Sequence, residues 1–254
     1  MSLGNFIYFI IAGVLGGLLS SVAGLASLAS YPALLLAGIP PVVANVTNTA
    51  SLIFAGIGAT LSSRKELRGE GRMMALLLAI ALSGGIFGSF LLLVESPKTF
   101  EHVVPFFILL SGILLLISRR NGTGKQMPPL ASQNKGLLLL KGVGVFVIGA
   151  YTGYFGAAGG VMMLALLSIS LPQRFSVLNA FKNVMAFAAN LIAAVVFAFN
   201  GKVDWPIVLP LGLGFLIGGY CGPIIVRHAP VKTLRILIAF GAFILAGYLF
   251  FAAF

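Results

Sequence analysis

Eight long apolar runs dominate the chain, at residues 5–37, 42–62, 73–94, 103–117, 136–170, 175–199, 205–226 and 231–254. A helix of about 20 apolar residues crosses roughly 30 Å of hydrocarbon. Only 8% of the 254 residues are charged, against roughly 25% in a soluble domain, so these runs have no polar surface to hide behind. The expected fold is an all-α polytopic membrane protein of about eight transmembrane helices, with the lipid bilayer as its surroundings. The first and fifth runs are longer than one span requires and carry glycine in the middle. Each is expected to be broken or re-entrant, with its freed backbone facing protein or water.

The chain carries 16 Lys and Arg against 5 Asp and Glu, a formal net charge of +11. In a soluble protein that balance would suggest nucleic acid. Among membrane spans it is the signature of basic cytoplasmic loops that orient the helices, and no nucleic-acid partner is expected. If every run crosses once, ten basic residues share one side (Arg64, Lys65, Arg68, Arg72, Arg119, Arg120, Lys125, Lys135, Lys141 and Lys202). Five take the other (Lys98, Arg174, Arg227, Lys232 and Arg235). On that count both termini are expected in the cytoplasm. The run Asn5 to Ala23 lacks the basic leader of a signal peptide and is read as a permanent helix.

The two halves match at an offset of 134 residues. Val43-Ala44-Asn45 corresponds to Val177-Leu178-Asn179, Gly84-Gly85 to Gly218-Gly219, Gly88 to Gly222, and Lys98-Thr99 to Lys232-Thr233. With two residues gapped, Gly24 falls opposite Gly156. The expected organisation is therefore two homologous four-segment repeats, 5–117 and 136–254, joined by a basic cytoplasmic linker, 118–135. Gly124-Lys125 in that linker does not make a P-loop, because Arg119 stands where glycine is needed and Gln126 where Ser or Thr is needed. Duplicated membrane halves are typical of secondary transporters that bind substrate between the repeats, although channels and some intramembrane enzymes are duplicated too. On the charge count, four crossings per repeat would make the halves parallel.

Polar residues inside spans are expensive and therefore informative. In the sixth run Asn179, Lys182, Asn183 and Asn190 fall, with Ala186, within an arc of about 100° at 100° per residue. The equivalent positions of the second run are Asn45, Asn48, Thr49 and Gly56. Amides in membrane helices often serve only to bind neighbouring helices, and a lysine can snorkel to the interface. The functional alternative is an ammonium that attracts an anion, with Asn donors around it. The break Thr152-Gly153-Tyr154-Phe155-Gly156-Ala157-Ala158-Gly159-Gly160 could add backbone N–H groups if Gly159 and Gly160 open a half-helix. Its counterpart around Gly24 replaces glycines by Ser20, Ser21 and Ser27.

Glu95, Glu101, His102, Asp204 and His228 lie at expected helix ends, where charged groups are usually just solvated. No H-E-x-x-H, no G-x-S-x-G and no paired intramembrane carboxylates occur, and Cys221 is the only cysteine. No catalytic residue, metal site or cofactor is expected, and the chain reads as a non-enzyme. Without acidic residues inside the spans, an anion fits better than a cation.

Gly156-Ala157-Ala158-Gly159-Gly160, Thr47-Asn48-Thr49 after Pro40-Pro41, Asn179-Ala180-Phe181-Lys182-Asn183, and Gly201-Lys202-Val203-Asp204-Trp205 before a glycine-rich run stand in one order. In this combination, over nearly the whole chain, the sequence resembles the TauE/SafE family of membrane transporters, also described as sulfite exporters. The resemblance implies a bacterial inner-membrane protein linked to sulfite, sulfonates and related anions. The chain departs from the family in the first break, which reads Gly24-Leu25-Ala26-Ser27-Leu28, and at Lys182, where many relatives have a small or hydroxylated residue.

The expected activity is alternating-access transport of a small sulfur-containing anion. The expected binding residues are Lys182, Asn179, Asn183, Asn45, Asn48, Thr49, Gly24, Gly156, Gly159 and Gly160, with a proton or sodium ion as a possible coupling partner. The competing readings are a lipid-headgroup translocase or intramembrane enzyme, in which Lys182 binds phosphate, and a passive anion channel.

Overall fold

The computed structural model of the chain describes residues 2–95, 135–156, 159–171, 173–199 and 203–228, with isolated positions between 98–116 and 236–251. These residues form eight long or medium helices, α1 (Leu3–Ala23), α2 (Ser27–Leu36), α3 (Pro41–Ser62), α4 (Gly71–Val94), α5 (Lys135–Tyr154), α6 (Gly159–Ser170), α7 (Phe175–Phe199) and α8 (Trp205–His228). No strand occurs among the described residues. Five stretches are long and apolar enough to cross a membrane: α1, α3, Met73–Val94 of α4, α7 and Trp205–Val226 of α8. The expected fourth and eighth runs and the linker 118–134 lie outside the described residues, isolated positions aside.

The first run breaks at Gly24 (φ +75°) and the fifth at Gly156 (φ +74°). At the first break the Gly24 N–H donates to the Ser20 carbonyl (2.7 Å) and the Leu25 N–H to that of Leu19 (3.1 Å), a helix end that relies on a left-handed residue. At the second, the N–H groups of Phe155 and Gly156 both donate to Tyr151 (3.0 Å). Beyond each break the chain doubles back. The Tyr8 hydroxyl on α1 donates to the Ala33 carbonyl on α2 (3.0 Å), and Lys141 Nζ on α5 to Ser170 on α6 (3.3 Å). Neither run is one straight crossing. Each is a hairpin whose second helix returns alongside its first.

Glycine contacts give the helix directions. Gly13, Gly17 and Ser21 on α1 lie in turn against Gly214, Gly218 and Gly222 on α8, so these two helices are parallel. Gly84 and Gly88 on α4 follow Phe146 and Ala150 on α5 in the same sense. Helix α3 runs with α8, from Thr47 beside Asp204 to Gly58 beside Tyr220. The short connection 63–70 reverses the chain between α3 and α4, and α7 runs with α4, from Gln173 beside Glu70 to Ala189 beside Gly85. Hence α1, α3 and α8 point one way and α4, α5 and α7 the other, and the two hairpins enter from opposite faces.

Packing crosses between the halves. Helix α8 lies mainly on α1 and α3, α4 mainly on α5 and α7, and α3 meets α7 where Gly56 faces Phe187. Lipid supplies no hydrophobic drive for such pairing, so close backbone approach through small residues has to. A Cβ at Gly17 would come within 2.8 Å of the Gly219 nitrogen, and one at Gly88 would strike the Ala150 carbonyl. Large side chains such as Ile11, Phe87, Leu209 and Ile217 point outward, where a bilayer accommodates them.

Candidate functional site

The described residues on either side of each break are mostly buried, and the two hairpins touch: a Cβ at Gly24 would sit 2.5 Å from the Gly160 backbone. The polar faces of α3 and α7 close around this meeting point. At the end of α1, Lys182 Nζ donates to the Ser20 (2.9 Å) and Ser21 (3.1 Å) carbonyls. Asn179 (3.1 Å) and Asn183 (3.4 Å) also donate through Nδ2 to Ser21. The last carbonyls of a helix lack intrahelical partners and carry the negative end of its dipole. An ammonium there is well placed, which explains how Lys182 can be only 1% exposed.

The other hairpin is held by an equivalent residue. Asn45 Nδ2 donates to the Tyr154 carbonyl at the end of α5 (3.0 Å), as its repeat partner Asn179 does at the end of α1. Asn48, the counterpart of Lys182, donates to Ser27 Oγ (3.2 Å) at the start of α2. The Thr49 hydroxyl donates to the Asn45 carbonyl of its own helix (2.9 Å), so its proton is not offered to a ligand. The Oδ1 atoms of Asn45, Asn48 and Asn179 are buried and have no partner among the described residues. Such acceptors ordinarily find a donor.

Lys182 also lines a cavity of about 10 Å³ with Thr152, Gly159, Gly160 and Ala186, room for about one water. Gly159 and Gly160 open α6, whose first N–H groups lack intrahelical acceptors. The Gly159 N–H is taken by the Gly156 carbonyl (3.2 Å). Lysine has three N–H donors, of which two are spent on α1. The remaining donor and the α6 N-terminus border the same space, an arrangement suited to a small anion.

All ten expected residues thus gather at or beside the tips, with Thr49 turned to its own helix. One pair was missed. The Tyr154 hydroxyl donates to Glu95 Oε2 (2.5 Å), although Glu95 reads in sequence as a solvated helix end. The available signal was a tyrosine inside the glycine-dense break. Among the described residues no cluster of three His, Cys, Asp or Glu could hold a metal ion.

Apolar spanning helices wrapped around two buried, polar-capped hairpins define a multi-pass membrane protein. A family model described as "Sulfite exporter TauE/SafE" matches residues 9–249, and the chain belongs to that family. It is 26% identical over 239 residues to a "Probable membrane transporter protein" of Haemophilus influenzae, covering 92% of this chain and 90% of that relative. It is 24% identical over 244 residues to the "Probable membrane transporter protein YfcA" of Escherichia coli K12 (94% and 87% covered). No solved structure matches the chain.

Proposed function

We propose that the protein is a secondary transporter of a small anion, a sulfite, sulfonate or related sulfur oxyanion, bound where the hairpin tips meet. The observation that carries this reading is the Lys182 ammonium bordering the cavity at the start of α6. Family membership and the relatives' names support transport, and the oxyanion comes from the family description. The cavity is far smaller than a sulfur oxyanion, so the structure corresponds to a closed state and the tips separate to admit substrate. When they do, the Oδ1 atoms of Asn45, Asn48 and Asn179 accept hydrogen bonds from water or from a hydroxyl of the anion. With no nucleotide motif in the sequence, the driving force is a proton or sodium gradient or the anion's own. Flux of radiolabelled sulfite, thiosulfate, sulfonates and a carboxylate into proteoliposomes tests the reading. Lys182→Ala should abolish flux while the folded protein is retained, and Lys182→Arg should restore part of it. Full flux of every anion through Lys182→Ala would refute the role of the charge.

The helix directions support an inverted relation between the repeats 5–117 and 136–254, with one hairpin entering from each face. Alternating access then follows from one tip yielding at a time. They also redistribute the charge. With both hairpins returning, eight Lys and Arg among the described residues (Arg64, Lys65, Arg68, Arg72, Lys135, Lys141, Arg174 and Arg227) belong to the face where α3 ends and α4 begins, one (Lys98) to the other, and Lys182 lies between. This asymmetry is stronger than ten against five. By the positive-inside rule the linker 118–134 is cytoplasmic and α1 starts at the outer face, the reverse of the orientation expected from single crossings. An impermeant thiol reagent should reach a cysteine placed at Ser132 from inside only. Labelling from outside would reverse the assignment.

A further inference from the structure

We propose that Tyr154 and Glu95 form a one-sided latch that keeps the α5–α6 hairpin closed toward the face where α4 ends. This rests on the transporter reading above. Tyr154 is the last residue of α5, two positions before the left-handed Gly156, where a pivot of the tip is least hindered. It is held twice by the other half of the molecule. Its carbonyl accepts from Asn45 of α3 (3.0 Å) and its hydroxyl donates to Glu95, the residue that ends α4 (2.5 Å). A short O–H···O⁻ bond of this kind is among the stronger hydrogen bonds in proteins.

Among the described residues the α1 tip has no phenol–carboxylate contact. Its Ser20 and Ser21 carbonyls are held by α7, while the Ser21 hydroxyl lies nearest to the Gly17 carbonyl of its own helix (2.8 Å). At the offset of 134 residues Glu95 corresponds to Ala229, and with the two-residue gap Tyr154 corresponds to Val22. Neither of these two positions can supply a phenol or a carboxylate. For the α5–α6 tip to leave α3 and α4, the phenol and carboxylate have to part. For the α1–α2 tip to move, the bond that parts is the one between the neutral side chains of Asn48 and Ser27 (3.2 Å), not a phenol–carboxylate bond. The latch thereby biases which face opens at rest.

Accessibility of a thiol tests this without substrate, so a failed flux assay and a failed latch are distinguishable. Ala44 is fully buried on α3 beside Asn45. In a Cys221→Ala background, Ala44→Cys should react slowly with an impermeant thiol reagent. Adding Tyr154→Phe should accelerate labelling about tenfold or more, the equivalent of a charge-assisted hydrogen bond, from the α4-end face only. Glu95→Gln should give a smaller rise, because it keeps shape and an acceptor. Unchanged labelling in the folded Tyr154→Phe protein, or an equal rise from both faces, overturns the latch. If Tyr154→Phe does not fold, Glu95→Gln decides by the same readout.

Discussion

The two hairpins share a plan and differ in how their tips are held. Each descends, turns at a left-handed glycine and returns, and each has the last carbonyls of its first helix capped by an asparagine at an equivalent position, Asn179 or Asn45. At the α1 tip that cap is reinforced by the Lys182 amino group and by Asn183. At the α5 tip the counterpart of Lys182, Asn48, binds Ser27 of the other hairpin instead, and reinforcement comes from the Tyr154 hydroxyl and Glu95. Asparagines 134 positions apart thus supply a common hydrogen-bonded cap, while the lysine holds one tip and the phenol–carboxylate bond the other.

This comparison can be broken most readily at the charge. Lys182→Ala should reduce anion flux by at least about a hundredfold, as loss of a group contributing several kcal/mol to binding would. Asn48→Ala, at the equivalent position, should reduce it much less. Equal losses would show that the charge does not distinguish the tips.

The glycines give the next largest effect, read as thermal stability in detergent. Gly24→Ala combines a left-handed backbone with a Cβ 2.5 Å from Gly160. Gly156→Ala meets only the Thr152 carbonyl of its own hairpin at 3.0 Å, so its cost should stay near the 1–2 kcal/mol of left-handed strain, about that of one such residue. Gly24→Ala should therefore be clearly the worse of the two. A reversed order would mean that the tips are not in contact.

The smallest contrast lies in the caps. Asn45 supplies the Tyr154 carbonyl with its cross-half donor, whereas Ser21 keeps Lys182 and Asn183 when Asn179 is lost. Asn45→Ala should cost about 1 kcal/mol, the net worth of one buried hydrogen bond, and Asn179→Ala less. Chemical or thermal unfolding of the two variants side by side measures the difference.

Much of the site was legible before any coordinates. Asn45 and Asn179 stand out because amides are costly in hydrocarbon and because they recur at one offset, and Gly24 and Gly156 because they interrupt runs too long for one span. What those residues touch was not legible. Lys182 binds carbonyls about 160 positions away, on a segment with which it shares no periodicity. Glu95 looked solvated because its partner, Tyr154, lies 59 residues on, across a linker. Thr49 looked available because helical periodicity places it on the polar face, but its hydroxyl is taken by the carbonyl four residues back.

The sequence by itself determined that this chain belongs in a membrane, where it breaks and which polar residues accompany the breaks. Transfer of a side chain into lipid and the backbone freedom of glycine are local properties, written residue by residue. Only the tertiary structure decided that the broken runs turn back, that the halves exchange packing partners and that the tips meet. The face from which a chain emerges depends on the parity of its crossings, and that parity depends on whether α2 and α6 find α1 and α5 beside them. For the same reason the positive charges, each visible in the sequence, could be assigned to faces only after the hairpins were seen to return.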